Sequence, residues 1–185
     1  MFDLVSFIPR AVMQGIPLLY GSTGEILTEK SGNLNLGIPG VMYVGGICGV
    51  IGSFFYEQAV PAEEMNAFLA IGIPMLCSLL GSLLMGLLYS VLTISLRANQ
   101  NVTGLALAIF GTGVGQFAGE YMRTTSGGYV AIGNALKDTF SGSPFPEALR
   151  SLPVAGPLLF GHTLFFYLGL ALAVAMALFL GRSRA

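Results

Sequence analysis

Charged residues cut this chain into long apolar stretches. Residues 31–56, 65–96, 98–119 and 151–181 hold no Asp, Glu, Lys or Arg, and each is long enough for the roughly 20 apolar residues that carry a helix across a bilayer. They predict four spanning helices. A fifth stretch, 11–24, reaches spanning length only where Glu25 lies at the headgroups or faces other protein. The expected fold is therefore all-α, a polytopic membrane helix bundle with about five transmembrane segments, at least one of them interrupted. Residues 1–185 form one transmembrane domain on this reading.

The basic residues set an orientation, because Lys and Arg flanking a span stay cytoplasmic. Arg97 separates the second and third long stretches, and Arg182 and Arg184 follow the last, whereas 57–64 holds Glu57, Glu63 and Glu64 and no base. Arg97 and the carboxyl end are expected in the cytoplasm. Residues 120–157 then form an extracytoplasmic loop with mixed charge and with turn chemistry at Ser126, Gly127, Gly128, Gly142, Pro144 and Pro146. Residues 1–10 carry no basic cluster ahead of an apolar region, so they do not read as a removable signal peptide.

Composition narrows the function. Only 9% of the residues are charged, against about a quarter in soluble domains, which excludes a soluble enzyme. A net charge of -1 leaves no basic field for nucleic acid. Cys48 and Cys77 lie in apolar runs without a His or a second Cys at ligand spacing, and His162 is the only histidine, so neither a metal site nor a catalytic residue is expected.

Polar residues inside the apolar runs are the more informative feature. Asn33, Asn35, Gly37, Pro39 and Gly40 open the first long run. Two readings stand: a break at bilayer depth, with a helix from about Ile38 and the amides answering freed backbone groups or a solute, or a plain Asn cap at the interface. Asn99, Asn101, Thr103 and Gly104 repeat the pattern, with the same two readings. Gly104, Ala108, Gly111, Gly115 and Gly119 then follow at spacings of four, three, four and four. They form a smooth face for helix packing in preference to a solute-lining one, and Gly45 and Gly49 repeat it. Glu120 is placed to pair with Arg123 at the surface.

Two strings carry a resemblance. Gly24-Glu-Ile-Leu-Thr-Glu-Lys-Ser-Gly-Asn-Leu-Asn-Leu-Gly-Ile-Pro-Gly-Val-Met and, later, Leu96-Arg-Ala-Asn-Gln-Asn-Val-Thr-Gly-Leu-Ala-Leu resemble the permease subunits of bacterial ABC importers. More narrowly, they are similar to the simple-sugar and nucleoside group, related to the ribose and branched-chain amino acid permeases. The resemblance implies a multi-pass component of the bacterial cytoplasmic (inner) membrane, surrounded by lipid. Its implied partners are a second permease subunit, cytoplasmic ATP-binding subunits and an extracytoplasmic solute-binding protein. No cofactor is implied on this chain, since a separate subunit binds ATP.

By the same resemblance Asn33, Asn35, Gly37 and Gly40, with Asn99, Asn101 and Thr103, line the substrate pathway. Pro39 stands where the family often has Glu. Family members have about twice as many membrane helices and continue through a basic cytoplasmic loop, so the chain looks like an amino-terminal portion. Neutral Asn, Gln and Thr suit a hydroxyl-rich solute such as a nucleoside or a simple sugar. A non-transporting membrane scaffold or degenerate permease fragment is the alternative.

Overall fold

The computed structural model describes residues 4–126, 132–153 and 155–182. Arg184, Gly127 and Gly128, which contribute to the expected orientation and turns, lie outside these residues. The chain forms two compact units, residues 31–139 and residues 1–30 with 140–185. Among the described residues all regular structure is helical.

The 31–139 unit is built on three long helices. Helix α2, Ile38–Ala59, starts after Gly37 with Pro39 in its first turn, where a proline's missing N–H has no helical partner to lose. It ends at Val60, which is extended and precedes Pro61. After a 3-10 turn at Ala62–Glu64, Asn66 caps α3, Ala67–Ser90, by accepting the Phe68 N–H at 2.9 Å. Helix α3 runs on through a π-helical turn, Val91–Ser95, and stops at Arg97, which takes a left-handed φ of 55°. Asn99 then caps α4, Gln100–Thr125, accepting the Val102 N–H at 3.1 Å.

Most glycines of the helix contacts and a few large residues face inward, while many large apolar side chains face outward. Val44, Met85, Tyr89 and Leu107 form the buried core of this unit, while Leu79, Leu80, Leu83 and Leu84 of α3 and Ile109 and Phe117 of α4 are exposed. That arrangement inverts a water-soluble bundle. It suits a hydrocarbon surround, where close backbone packing rather than apolar burial holds helices together.

The cysteines take part in that packing. A Cβ at Gly81 would lie 2.6 Å from Cys48 Sγ, and one at Gly52 would lie 2.8 Å from Cys77 Sγ. Each cysteine thus fills the notch left by a glycine on the opposite helix, joining α2 to α3 along two successive turns. At the end of α2, the Glu57 carboxylate accepts the Gly133 N–H at 2.7 and 2.9 Å. Gly133 leads into the short helix α5, Asn134–Ser141, so the carboxylate lies at that helix's positive end.

In the other unit, α1 is a continuous helix over Leu4–Lys30 despite Pro9 and Pro17. A short helix α6, Glu147–Arg150, and a π-helical turn, Gly156–Phe160, precede α7, Leu164–Arg182. The Tyr20 hydroxyl of α1 donates to Phe165 O at 2.8 Å, and the Tyr20 ring fills the space over Gly169 of α7. His162 is buried, its Nε2 2.9 Å from Leu158 O, with its ring against Phe166.

Among the described residues four helical segments are long and apolar enough to cross a membrane: Ile38–Ala59, Ala67–Ser95, Gln100–Thr125 and Leu164–Arg182. Helix α1 has the length but is diluted by Gln14, Glu25, Glu29 and Lys30. The uncharged stretch 151–181 is not one helix, because Gly156, Pro157 and Gly161 separate a π-helical turn from α7. Helix α4 also runs beyond Glu120, so the following loop starts at Ser126 rather than at 120.

Candidate translocation site

Over residues 31–37 of the 31–139 unit the chain leaves helical geometry, while Asn35 and Gly37 stay buried. Gly32 turns it with a φ of 89°. Asn35 accepts the Gly37 N–H on its Oδ1 at 2.9 Å, a local turn that aims the chain into α2. Asn35 and Gly37 are buried and Asn33 is half-buried.

Gln100, in the first turn of α4, binds this segment in two directions. Its Nε2 donates to Asn33 Oδ1 at 3.1 Å, and its Oε1 accepts the Leu34 N–H at 3.1 Å. From the end of α3, the Tyr89 hydroxyl donates to Leu34 O at 2.8 Å. Side chains thus satisfy both backbone groups of Leu34 in place of a helix ladder. Every group in the cluster is neutral, so no ionic charge is buried. Among the described residues no buried side-chain nitrogen or oxygen lacks a partner.

Glycines let the segment and the helices approach this closely. A Cβ at Gly104 would lie 2.7 Å from Leu36 N, and one at Gly111 would lie 2.5 Å from Gly40 O. Gly40 in turn faces Leu107 O, and a Cβ at Gly37 would lie 3.0 Å from Gly104 O. Farther along the seam Gly115 meets the Tyr43 ring and Gly119 lies opposite Ile47. On the other side of α2, Gly45 meets Ser82 and Gly49 meets Pro74 and Ser78. Helix α2 is therefore held between α3 and α4 by glycine contacts on two faces.

The second amide stretch has a simpler geometry. Asn99 and Asn101 are exposed, and Asn99 is an ordinary helix cap. Thr103 is buried and lines an apolar groove of about 330 Å3 with Leu88, Leu92 and Phe110. The structure thus joins Asn33, Asn35, Gly37 and Gly40 to α4, and leaves Asn99 and Asn101 apart from them.

Residues 7–185 match the family described as branched-chain amino acid transport system / permease component. The chain belongs to that permease family. It is 31% identical over 172 residues to the putative glucose ABC transporter permease protein TsgC13 of Haloferax volcanii, covering 90% of this chain and 45% of that protein. It is 25% identical over 170 residues to the guanosine ABC transporter permease protein NupQ of Bacillus subtilis, covering 92% of this chain and 49% of that one. With the nucleoside ABC transporter permease protein NupC of Lactococcus lactis it shares 28% identity over 110 residues, covering 60% of this chain and 33% of that protein. The chain thus spans about half the length of the first two relatives. No solved structure matches it.

The family is one of membrane transport components rather than enzymes, and the apolar helices of this permease make it a multi-pass membrane protein. Two residues of its amide cluster carry no clear sequence signal. Gln100 stands between two asparagines, and its role was legible only as a third amide in that stretch. Tyr89 lies inside an apolar run, and nothing near it in sequence points 55 residues back to Leu34.

Proposed function

We propose that the chain supplies part of the membrane path of an ATP-driven importer for a nucleoside or a simple sugar, in a bacterial cytoplasmic membrane. It works with a second permease subunit, cytoplasmic ATP-binding subunits and an extracytoplasmic solute-binding protein. The observation that carries this reading is the Asn33–Gln100 amide bridge, which holds a neutral polar cluster between helical segments of a membrane protein. Relatives named for glucose, guanosine and nucleoside support a neutral, hydroxyl-rich solute. In alternating access, helices α2, α3 and α4, locked by their glycine contacts, move as one body, and the amide segment travels with them.

The saturated hydrogen bonding of the cluster favours a second reading, a non-transporting membrane scaffold. Uptake by the complete importer in membrane vesicles separates the two. ATP- and binding-protein-dependent accumulation of labelled guanosine or glucose is expected, and accumulation independent of either component, or none at all, would contradict the import reading.

A further inference from the structure

Beyond the amide segment, α2 and α4 flank a groove of about 610 Å3 lined by Tyr43, Gly46, Gly115, Gln116, Gly119 and Glu120, among others. Its volume falls within the range of small-molecule sites, about 300–1,000 Å3. The α2 residues that line it, between Met42 and Val50, occupy the middle of that spanning helix, the depth at which transporters hold their solutes.

The walls have distinct chemistry. Gly46, Gly115 and Gly119 leave a flat surface. Tyr43 lies against Gly115 yet is 47% exposed. Gln116, one residue farther along α4, is exposed. Among the described residues neither the Gln116 amide nor the Tyr43 hydroxyl has a hydrogen-bond partner. Glu120 is different, since Arg123 binds both of its oxygens, at 2.6 and 2.9 Å, so its charge is answered within α4. An aromatic ring and an amide that both donates and accepts thus share one groove, which runs from the middle of α2 toward the end of α4 that carries the Glu120–Arg123 pair. Hydrocarbon is a poor neighbour for that amide, because nothing in a lipid tail replaces its lost hydrogen bonds.

We infer that this groove is a solute contact site, in which a neutral ring packs against Tyr43 and polar groups at the edge of that ring exchange hydrogen bonds with Gln116 and the Tyr43 hydroxyl. A nucleobase and a pyranose both offer this chemistry. The inference rests on the permease reading proposed above and adds a solute contact on the α2–α4 seam to the path that the amide segment opens.

The test uses the complete importer in its native membrane, with Cys48→Ala and Cys77→Ala as background and Gln116→Cys as the probe position. A membrane-impermeant thiol reagent should label Gln116→Cys, and saturating guanosine or glucose should slow labelling by about fivefold or more. The solute that protects identifies the ring. In parallel, Gln116→Leu and Tyr43→Phe should each raise the KM for uptake by about 3–10-fold, the range expected for one lost hydrogen bond, with unchanged amounts of complex. Tyr43→Phe keeps the ring on Gly115, so its effect does not depend on a folding defect. Absence of labelling, or labelling that neither solute slows, in an importer that transports normally overturns the groove and leaves the permease reading intact. Unchanged KM values in both variants do the same. If the wild-type importer moves neither guanosine nor glucose, the groove inference falls with the reading it rests on.

Discussion

Gln100 clamps Asn33: one end of its amide donates to the Asn33 side chain and the other accepts the neighbouring Leu34 N–H, each at 3.1 Å. The two residues are 67 positions apart, and their contact ties the entrance of α2 to the first turn of α4. Each belongs to one of the two amide stretches seen in the sequence, so the two stretches meet through these side chains.

Replacing Gln100 with Leu removes both bonds and leaves the Leu34 N–H without its acceptor. A part-buried donor left unpaired costs about 1–3 kcal/mol. Gln100→Leu should therefore lower the thermal midpoint of the purified protein in detergent. In a double-mutant cycle with Asn33→Leu the two losses should sum to more than the double variant shows, with a coupling of about 1 kcal/mol. Strictly additive losses would mean that the bridge contributes nothing.

The glycine seam gives a second test with an internal control. A Cβ at Gly111 would stand 2.5 Å from Gly40 O, whereas one at Gly113 would meet nothing within 4 Å. Gly111→Ala should cost about 1–3 kcal/mol as α2 and α4 are forced apart. Gly113→Ala should be neutral or stabilising by up to about 1 kcal/mol, through helix propensity alone. Thermal unfolding of both variants in one detergent compares them directly.

At Arg97 the backbone is left-handed, with a φ of 55°, between the π-helical turn and the Asn99 cap. Arg97→Gly should leave stability unchanged or raise it by about 1 kcal/mol, the cost of a side chain in that conformation. Arg97→Val should lower it, because a β-branched residue resists a positive φ most. The unfolding midpoint of Arg97→Gly should therefore lie at or above the parent value, and that of Arg97→Val below it.

Glu57 holds Gly133 at the start of α5 with both carboxylate oxygens. Glu57→Leu should release that turn, raising amide hydrogen exchange at 133–137 while exchange within α3 stays unchanged. Equal protection in parent and variant would show that the turn is held by other contacts.

Much of the helical layout was legible because charge placement and apolar length are local properties. The start of α2 at Ile38 followed from Gly37 and Pro39, and the small-residue spacing of α4 marked the face that meets α2. The limits came from elsewhere. Nothing in 151–181 is charged, so only Gly156, Pro157 and Gly161 could have warned that α7 begins at Leu164. Asn99 and Asn101 look alike in sequence to Asn33 and Asn35, yet one pair sits at an exposed helix start and the other in a packed segment. That difference depends on which helix lies alongside, and no spacing within either stretch encodes it. Gln116 carries no sequence signal that points to Tyr43; its place beside that ring depends on how α2 and α4 lie together.

The most direct measurement of the central claim, that the amide segment belongs to a polar path through the membrane, is uptake by the complete importer carrying Asn33→Leu. Asn33 is half-buried, and among the described residues its only hydrogen bond is the one from Gln100, so the substitution removes polarity without leaving a charge unpaired. The account predicts that the complex still assembles in normal amount while ATP-dependent uptake of guanosine or glucose falls by about tenfold, equivalent to about 1.4 kcal/mol. Normal assembly with undiminished uptake would contradict it, and the segment would then be a structural joint and nothing more.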